Sequence, residues 1–317
     1  MSSANVLFIT ITFIGPLVTV SSEEWLVCWV GLELRFIGFI PLLFYGQGYF
    51  AVNKEAAMKY FCVQAFGRAV LLLGGLVIYN VYHRSGIYRN YLFSLLFFCR
   101  LLVKLGAFPC HFWVLRVASG LRWLPLFLFI RWQKVGPFAI IINLLEVHDW
   151  LCPLALTLGG AGAVIGGLLG LNQTNLRVVL GASSIRHTGW GLLASVFGSF
   201  WLYFGLYCLS FGFLLLFLIF EHQKLRGLGV AALRGLPPFL LFIGKWKVLQ
   251  VAIYRGCHFL FLVAPLLGAI LRLFFYLKFL YSFYLRDGTQ TIMGVSSYIL
   301  GFGAFNFFGR YYIGFCV

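Results

Sequence analysis

The chain alternates long apolar stretches with short polar connections. Most stretches are close to the roughly 20 mainly apolar residues that a helix needs to cross a hydrocarbon core. We therefore predict a series of helical spans whose ends are set by the polar connections. In chain order they are Asn5–Val20, Trp25–Tyr45, Ala57–Tyr82, Tyr91–Leu105, Leu124–Leu145, Leu151–Leu171, Leu176–Val196, Trp201–Phe220, Leu236–Tyr254, Cys257–Tyr284 and Ile292–Phe315.

No segment shows the period-2 alternation that is typical of barrel strands, so we predict an all-α fold. A region broken by proline and glycine extends from Leu105 to near Leu121, and Gly227–Gly235 is long enough for one more very short helix. Gly159–Gly170 places small residues at four-residue spacing, which predicts close helix–helix packing. Because no polar stretch could form a soluble domain, residues 1–317 are predicted to form one membrane-embedded domain, a polytopic bundle of about ten or eleven transmembrane helices.

Composition supports membrane embedding and removes several classes of function. Of the 317 residues, 62% are hydrophobic and 10% are charged, whereas about 25% are charged in a typical soluble domain. The net charge of +16 does not indicate a nucleic-acid partner, because the basic residues form no clustered stripe and instead punctuate the apolar runs. The eight cysteines include no CxxC motif, so we expect no zinc or iron–sulfur site.

One carboxylate lies well inside an apolar run. Glu33 is about 12 Å along the helix predicted for Trp25–Tyr45, whereas the other acidic residues lie at span ends or in connections. An ionised carboxylate in this position is costly, so it must be protonated or face a cation. Arg35 does not face it along the helix, and the sequence identifies no partner for the mid-span Arg68. A helix-packing ion pair is the alternative to a functional role.

Three lysines, Lys104, Lys134 and Lys245, lie in apolar segments beside residues that break helices. A proline inside a helix removes the hydrogen bond to the carbonyl four residues earlier. Pro109 is therefore predicted to free the Leu105 carbonyl beside Lys104, and Pro137 to free the Gln133 carbonyl beside Lys134. The helix-breaking residues are Pro109, Gly136, Pro137, Pro237 and Pro238.

Lysine suits proton transfer because burial can bring its pKa toward neutrality, whereas arginine stays charged. We therefore interpret the following as proton-translocation residues: Glu33, Lys104, Lys134 and Lys245. His111 and His187 lie in broken or polar segments and are candidate relay residues, with ordinary packing as the alternative. Arg100 and Arg131 share helical faces with Lys104 and Lys134, and snorkelling or pairing elsewhere is the alternative to an electrostatic role.

The same segments resemble a known family. The motifs that carry the resemblance are Trp29–Glu33, Glu55–Phe61, Lys104–Trp113, Trp132–Pro137, Gly170–Arg177, Ser183–Trp190, Gly235–Phe239 and Gly244–Trp246. In this order they resemble the antiporter-like membrane subunits of complex I, and within them the family of mitochondrially encoded NADH dehydrogenase subunit 2 in the short form found in animals. Several arginines depart from the family pattern, namely Arg35, Arg68, Arg100 and Arg186.

The resemblance implies an antiporter-like fold with inverted repeats and broken helices in the mitochondrial inner membrane. It implies that Glu33 pairs with Lys104, that Lys134 is the lysine of the central axis and that Lys245 belongs to the second broken helix. The two candidate histidines fall at positions that resemble part of a hydrated polar axis.

By the same resemblance the chain is a core membrane-arm subunit of NADH:ubiquinone oxidoreductase that conducts protons, while NADH oxidation and quinone reduction take place in other subunits. No cofactor is expected on this chain, since NADH, FMN, the iron–sulfur clusters and ubiquinone bind elsewhere, and structural lipids such as cardiolipin are expected against it. The implied partners are the antiporter-like subunit 4, subunit 4L, accessory subunits and the bilayer, with no nucleic acid. The alternatives are a stand-alone cation/proton antiporter and a scaffold subunit that does not pump directly.

Overall fold

The computed structural model describes residues 3–22, 24–44, 50–84, 90–219, 227, 229–230, 232–233, 235 and 239–285. Across these ranges the chain forms helices and turns with no strand, which confirms the all-α prediction. The α-helices are α1 Ser3–Ser21, α2 Trp25–Leu43, α3 Phe50–Arg84, α4 Asn90–Leu105, α5 Phe112–Gly120, α6 Trp123–Phe127, α7 Gln133–Val147, α8 Cys152–Leu171, α9 Leu176–Val196, α10 Phe200–Ile219, α11 Leu240–Tyr254 and α12 Phe259–Leu285. A π-helical segment, Leu128–Trp132, joins α6 to α7, and a 3₁₀ turn, Asp149–Leu151, precedes α8.

Six helical stretches in the described part of the chain are long and apolar enough to cross a membrane, and α1 adds the shorter apolar stretch Asn5–Ser21. The six are Leu26–Leu43, Lys54–Gly75, Trp123–Val147, Asp149–Leu171, Phe200–Leu218 and Phe259–Lys278. Helices also form at the other predicted spans that the structure describes, but α4 and α11 are only 16 and 15 residues long. The predicted span Ile292–Phe315 lies outside the described residues.

α9 forms the centre of the bundle. It begins after Asn175, whose side chain accepts a hydrogen bond from the Arg177 N–H at 3.1 Å and so caps the helix. Every residue from Val179 to Ser195 is buried, because α5, α7, α8, α10 and α12 pack around the helix. A helix enclosed on all sides carries its polar side chains into the interior. The sequence of α9 therefore determines which polar groups the core must accommodate.

Glycines allow α8 to lie very close to its neighbours α9 and α12. A Cβ atom on Gly166 would lie 2.6 Å from the Arg186 backbone nitrogen on α9, and one on Gly167 would lie 3.1 Å from Leu271 Cβ on α12. Gly189 on α9 faces the backbone of Gly159 in the same way. The predicted packing role of Gly159–Gly170 is confirmed. In the chain near Gly227–Gly235, the described residues 227, 229–230 and 232 are helical, in agreement with a short helix there.

The glycine contact between α8 and α9 can be tested by adding one methyl group. In Gly189→Ala the new Cβ would overlap the Gly159 carbonyl oxygen and lie 2.8 Å from the Ala163 nitrogen, so the two helices must separate. We expect the unfolding free energy of the detergent-solubilised protein to fall by about 1–3 kcal/mol. The control is Gly205→Ala on α10, where no atom lies within 4 Å. Equal stability of the two variants would contradict the close approach.

A buried cationic axis as the candidate functional site

Lys104 lies in the last turn of α4, where a glycine ends the helix. Gly106 adopts the left-handed conformation (φ 63°); its N–H donates to the Val103 carbonyl at 3.1 Å, and the Ala107 N–H donates to the Leu102 carbonyl at 3.0 Å. This is the Schellman pattern of helix termination. Pro109 consequently lies in the loop after α4. The prediction that it frees a carbonyl inside a helix is wrong, because the helix has already ended at Leu105.

Lys134 lies in the first turn of α7, and Pro137 is inside this helix. The Gln133 carbonyl that Pro137 cannot satisfy accepts a hydrogen bond from Arg35 Nη1 on α2. The predicted free carbonyl therefore exists, and an arginine occupies it. The ammonium of Lys134 donates to Ser184 Oγ at 2.6 Å and to the Ser184 carbonyl at 3.1 Å, which joins α7 to α9. Gly136 packs against Leu32 on α2, where a Cβ would lie 2.8 Å from Leu32 Cδ2.

A small cavity separates Lys104 from Lys134. Its lining residues are Arg35, Tyr60, Gln64, Lys104, Leu105, Trp113, Val114, Phe129, Gln133 and Lys134. Within the described ranges, Lys104 Nζ, Gln64 Oε1 and Gln133 Nε2 are buried and make no hydrogen bond. Gln64 and Gln133 are held by their other amide atoms, since Gln64 Nε2 donates to the Lys104 carbonyl at 3.3 Å and Gln133 Oε1 accepts from Tyr60 at 3.2 Å. We name this space the Lys104–Lys134 cavity.

Glu33 is paired with a residue that the sequence left unassigned. Its Oε2 atom lies 2.6 Å from Arg68 Nη1 on α3, and the guanidinium also lies over the Phe36 ring, 3.9 Å from its centroid. The expected pair with Lys104 is not formed in this structure. The sequence contained the necessary signal, because a mid-span arginine needs a counter-charge and Glu33 is the one carboxylate in the middle of an apolar run.

In the second half of the chain, Lys245 on α11 is buried, with its ammonium 5.6 Å from the Trp190 ring centroid. Gly235 has a positive φ of 61° and lies against this ammonium. The position that a Cβ of Gly235 would take is 3.0 Å from Lys245 Nζ and 3.0 Å from Arg272 Nη2. The two cations are thus close neighbours. Pro237 and Pro238, the predicted break before α11, lie outside the described residues.

His187 on α9 is the centre of the second cluster. Its Nδ1 atom lies 2.6 Å from the Tyr203 hydroxyl; its Nε2 atom lies 2.7 Å from Arg186 Nη2 and 3.2 Å from Arg272 Nη1. An arginine can only donate a hydrogen bond, so Nε2 must be the acceptor. The geometry therefore assigns the proton to Nδ1, which donates to the Tyr203 oxygen, and His187 is the neutral imidazole.

Arg131 and Arg272 complete this cluster. The Arg131 guanidinium lies over the rings of Tyr207 and Phe211, and Tyr207 also stacks on the His187 imidazole at 3.9 Å between centroids. Arg272 donates to the Leu233 carbonyl at 2.6 Å. Arg272 is not among the site residues predicted from the sequence, although its position in the middle of the predicted span Cys257–Tyr284 is the same signal that singled out Glu33.

His111 does not join either cluster. Its Nδ1 atom lies 2.9 Å from the Pro109 carbonyl oxygen, and its ring packs against Phe108 and Phe112. Its contacts in the described chain include none with the lysines, so the geometry favours a loop-packing role. The structure thus places Lys104 and Lys134 at one cavity, and it places Lys134 and Lys245 beside α9, the helix that carries His187. It leaves His111 apart.

The model of a family described as the transmembrane part of NADH:quinone oxidoreductase/Mrp antiporters matches residues 22–228. The chain belongs to this antiporter family. Among curated relatives, NADH-ubiquinone oxidoreductase chain 2 of Albinaria caerulea is 34% identical over 286 residues, covering 90% of this chain and 91% of the relative. The protein with the same name from Anopheles gambiae is 33% identical over 303 residues, covering 90% and 87%.

Solved structures of the antiporter family show the same fold. A chain of respiratory complex I from Thermus thermophilus superposes with a TM-score of 0.74 at 23% identity, covering 89% of this chain and 71% of that one. A chain of the Mrp complex from a Dietzia species superposes with a TM-score of 0.70 at 15% identity, covering 86% and 58%. The predicted antiporter-like fold is confirmed.

The ion pair between Glu33 and Arg68 can be tested with a double-mutant cycle. Arg68→Met leaves a partly buried carboxylate unpaired, so we expect the unfolding free energy in detergent to fall by about 2 kcal/mol, with Glu33→Gln in the same chain recovering more than half of the loss. The matched cycle combines Glu33→Gln with Lys104→Met. A coupling energy with Lys104 as large as that with Arg68 would show that Arg68 is not the main partner.

Proposed function

We propose that this chain is a core membrane-arm subunit of a respiratory NADH:ubiquinone oxidoreductase in the mitochondrial inner membrane, and that it conducts protons along its buried axis. The proposal is carried by one observation. Three lysines, each with an exposed fraction of 5 or 6%, are buried in the interior of an antiporter-family fold. The assembly is inferred from the relatives, which are named NADH-ubiquinone oxidoreductase chain 2.

The first step of the path is proton exchange between Lys104 and Lys134. Their cavity is bordered by hydrogen-bonding atoms on several sides, which is the condition for holding a bridging water. The rings of Tyr60, Trp113 and Phe129 line the cavity and contact one another, with ring centroids 5.7 to 6.1 Å apart. A water held there connects the two ammonium groups while the rings exclude bulk solvent.

The second step follows α9. Lys134 donates to Ser184, and His187 is one helical turn further along the same face. Neutral His187 carries a proton on Nδ1 and donates it toward Tyr203, so it can pass a proton only after the two arginines move away from Nε2. This makes His187 a gate between Lys134 and Lys245. Water fills the remaining gaps.

Glu33 controls the first proton carrier of this path, Lys104. Lys104 lies in the electrostatic field of Glu33, Arg35 and Arg68, and in the present arrangement the carboxylate is bound to Arg68. We infer that movement of the carboxylate between Arg68 and Lys104 decides whether Lys104 keeps its proton, because a nearby opposite charge stabilises the ammonium. A signal from neighbouring subunits needs to move only this one side chain.

The chemistry of electron transfer is assigned to other subunits. The described residues include no group of three His, Cys, Asp or Glu side chains placed to hold a metal ion, and the cysteines among them form no disulfide bond. We place NADH, FMN, the iron–sulfur clusters and ubiquinone on partner subunits. The implied partners of this chain are the antiporter-like subunit 4, subunit 4L and accessory subunits. The many exposed apolar side chains suit bilayer lipids, including cardiolipin.

A second candidate function is a stand-alone cation/proton antiporter, which the likeness to a chain of the Mrp complex favours. The two functions differ in where activity resides. An antiporter chain moves protons against sodium when it is reconstituted alone, whereas a complex I subunit moves them only when NADH is oxidised in the assembled complex. Sodium-driven proton movement by the isolated chain would favour the antiporter.

The proposed function predicts the result of Lys134→Met in the assembled complex. The variant removes the ammonium that exchanges protons with both Lys104 and His187 in the proposed path. A proton-transfer group typically raises the rate of its step roughly 10²–10⁴-fold. We expect a lower proton-to-electron ratio in proteoliposomes while electron transfer from NADH continues. Lys59→Met is the control, because Lys59 is exposed and pairs with Glu55 on the same helix. An unchanged ratio in Lys134→Met would favour a scaffold role.

A further inference from the structure

Three arginines in the second half of the bundle are almost completely enclosed. Arg131, Arg186 and Arg272 have exposed fractions of 1%, 0% and 0%. They come from three different segments, the π-helical segment, α9 and α12, and all three surround the His187 imidazole. We call them the arginine cluster.

The partners that the structure gives to the arginine cluster are all neutral. They are the Nε2 atom of neutral His187, the Leu233 carbonyl and the aromatic faces beside Arg131 and Arg272. The ion pairs in the described chain join other residues, Lys59 with Glu55 and Arg68 with Glu33. Arginine stays protonated in proteins. Three buried positive charges for which the described residues provide no counter-charge would be very costly to the folded protein.

The arginine cluster also has unused donors. Among the described residues, no acceptor binds Arg131 Nε, Nη1 or Nη2, Arg186 Nε or Nη1, or Arg272 Nε or Nη2. Buried donors normally find partners, so this many in one place points to a missing acceptor. The acceptor must be anionic, because it has to satisfy the N–H groups and the charge together.

We propose that the arginine cluster binds one small inorganic anion of halide size. The small size follows from packing, because the buried rings of Tyr203, Tyr207 and Trp190 contact one another beside His187 and favour a small anion over a lipid headgroup or a nucleotide. The anion supplies the negative charge that the described residues around the arginine cluster lack. It lies beside Lys245, because the Lys245 ammonium and Arg272 Nη2 both lie near the same point at Gly235.

This inference does not depend on the proposed function, because anion binding is measured without pumping. The membrane complex that contains the chain is purified in gluconate and titrated with radioactive chloride. Arg186→Gln and Arg272→Gln remove one charge each and keep a polar side chain. We expect each variant to bind one chloride fewer per complex, or to bind it at least about tenfold more weakly, a loss of about 1.4 kcal/mol. Arg116→Gln, at an exposed position on α5, is the control and should match the wild type.

The outcomes separate the alternatives. No saturable chloride binding by the wild-type complex overturns the proposal and requires no variant to fold. Equal binding by the wild type and both cluster variants also overturns it, since the bound chloride would then lie elsewhere. The acidic residues in the second half of the sequence are Glu221 and Asp287, and both lie outside the described residues. If chloride binds only after Glu221→Gln or Asp287→Asn, a carboxylate of the chain is the counter-charge and the proposal is wrong.

Discussion

The hydrogen bond from Arg35 to the Gln133 carbonyl is the interaction on which the first half of the site depends. Pro137 creates the acceptor by removing the helical donor, and a carbonyl left unpaired in this interior would cost several kcal/mol. Arg35 satisfies it from α2 and so fixes α2 against α7. This contact sets the wall of the Lys104–Lys134 cavity, because Arg35 and Gln133 both line it. Glu33, on the same helix as Arg35, forms its ion pair with Arg68 on α3.

α9 extends this arrangement into the second half. Because α9 is enclosed by other helices, Ser184 and His187 cannot turn to solvent and must bind groups on neighbouring helices. Ser184 accepts a hydrogen bond from the ammonium of Lys134. His187 forms hydrogen bonds with Tyr203 on α10 and Arg272 on α12. The glycines of α8 allow this, since only a backbone without Cβ atoms can lie so near α9. One helix thereby links the titratable groups of both halves.

Much of this could be predicted from the sequence, because the bilayer imposes it locally. Long apolar runs give the spans, an isolated mid-span charge indicates a site, and Pro137 predicts the Gln133 acceptor. The remainder depends on which helices are neighbours. Arg68 and Glu33 are far apart in sequence, so their pairing appears only when α2 and α3 pack together. Pro109 failed as a signal because Gly106 ends α4 before the proline is reached. The predicted single domain, the inverted repeats and the roles of the individual lysines stay predictions.

The two halves differ in charge, and this has a consequence for proton movement. In the first half a carboxylate lies near the cations, so a proton that arrives at Lys104 enters a region of mixed charge. In the second half the described charged groups around His187 are all cations, and a proton that moves from Lys134 toward Lys245 moves against their repulsion. The transfer is therefore unfavourable unless negative charge is present beside the arginines or the arginines move. Control of this step consequently resides in the counter-charge of the second half as much as in the lysines themselves.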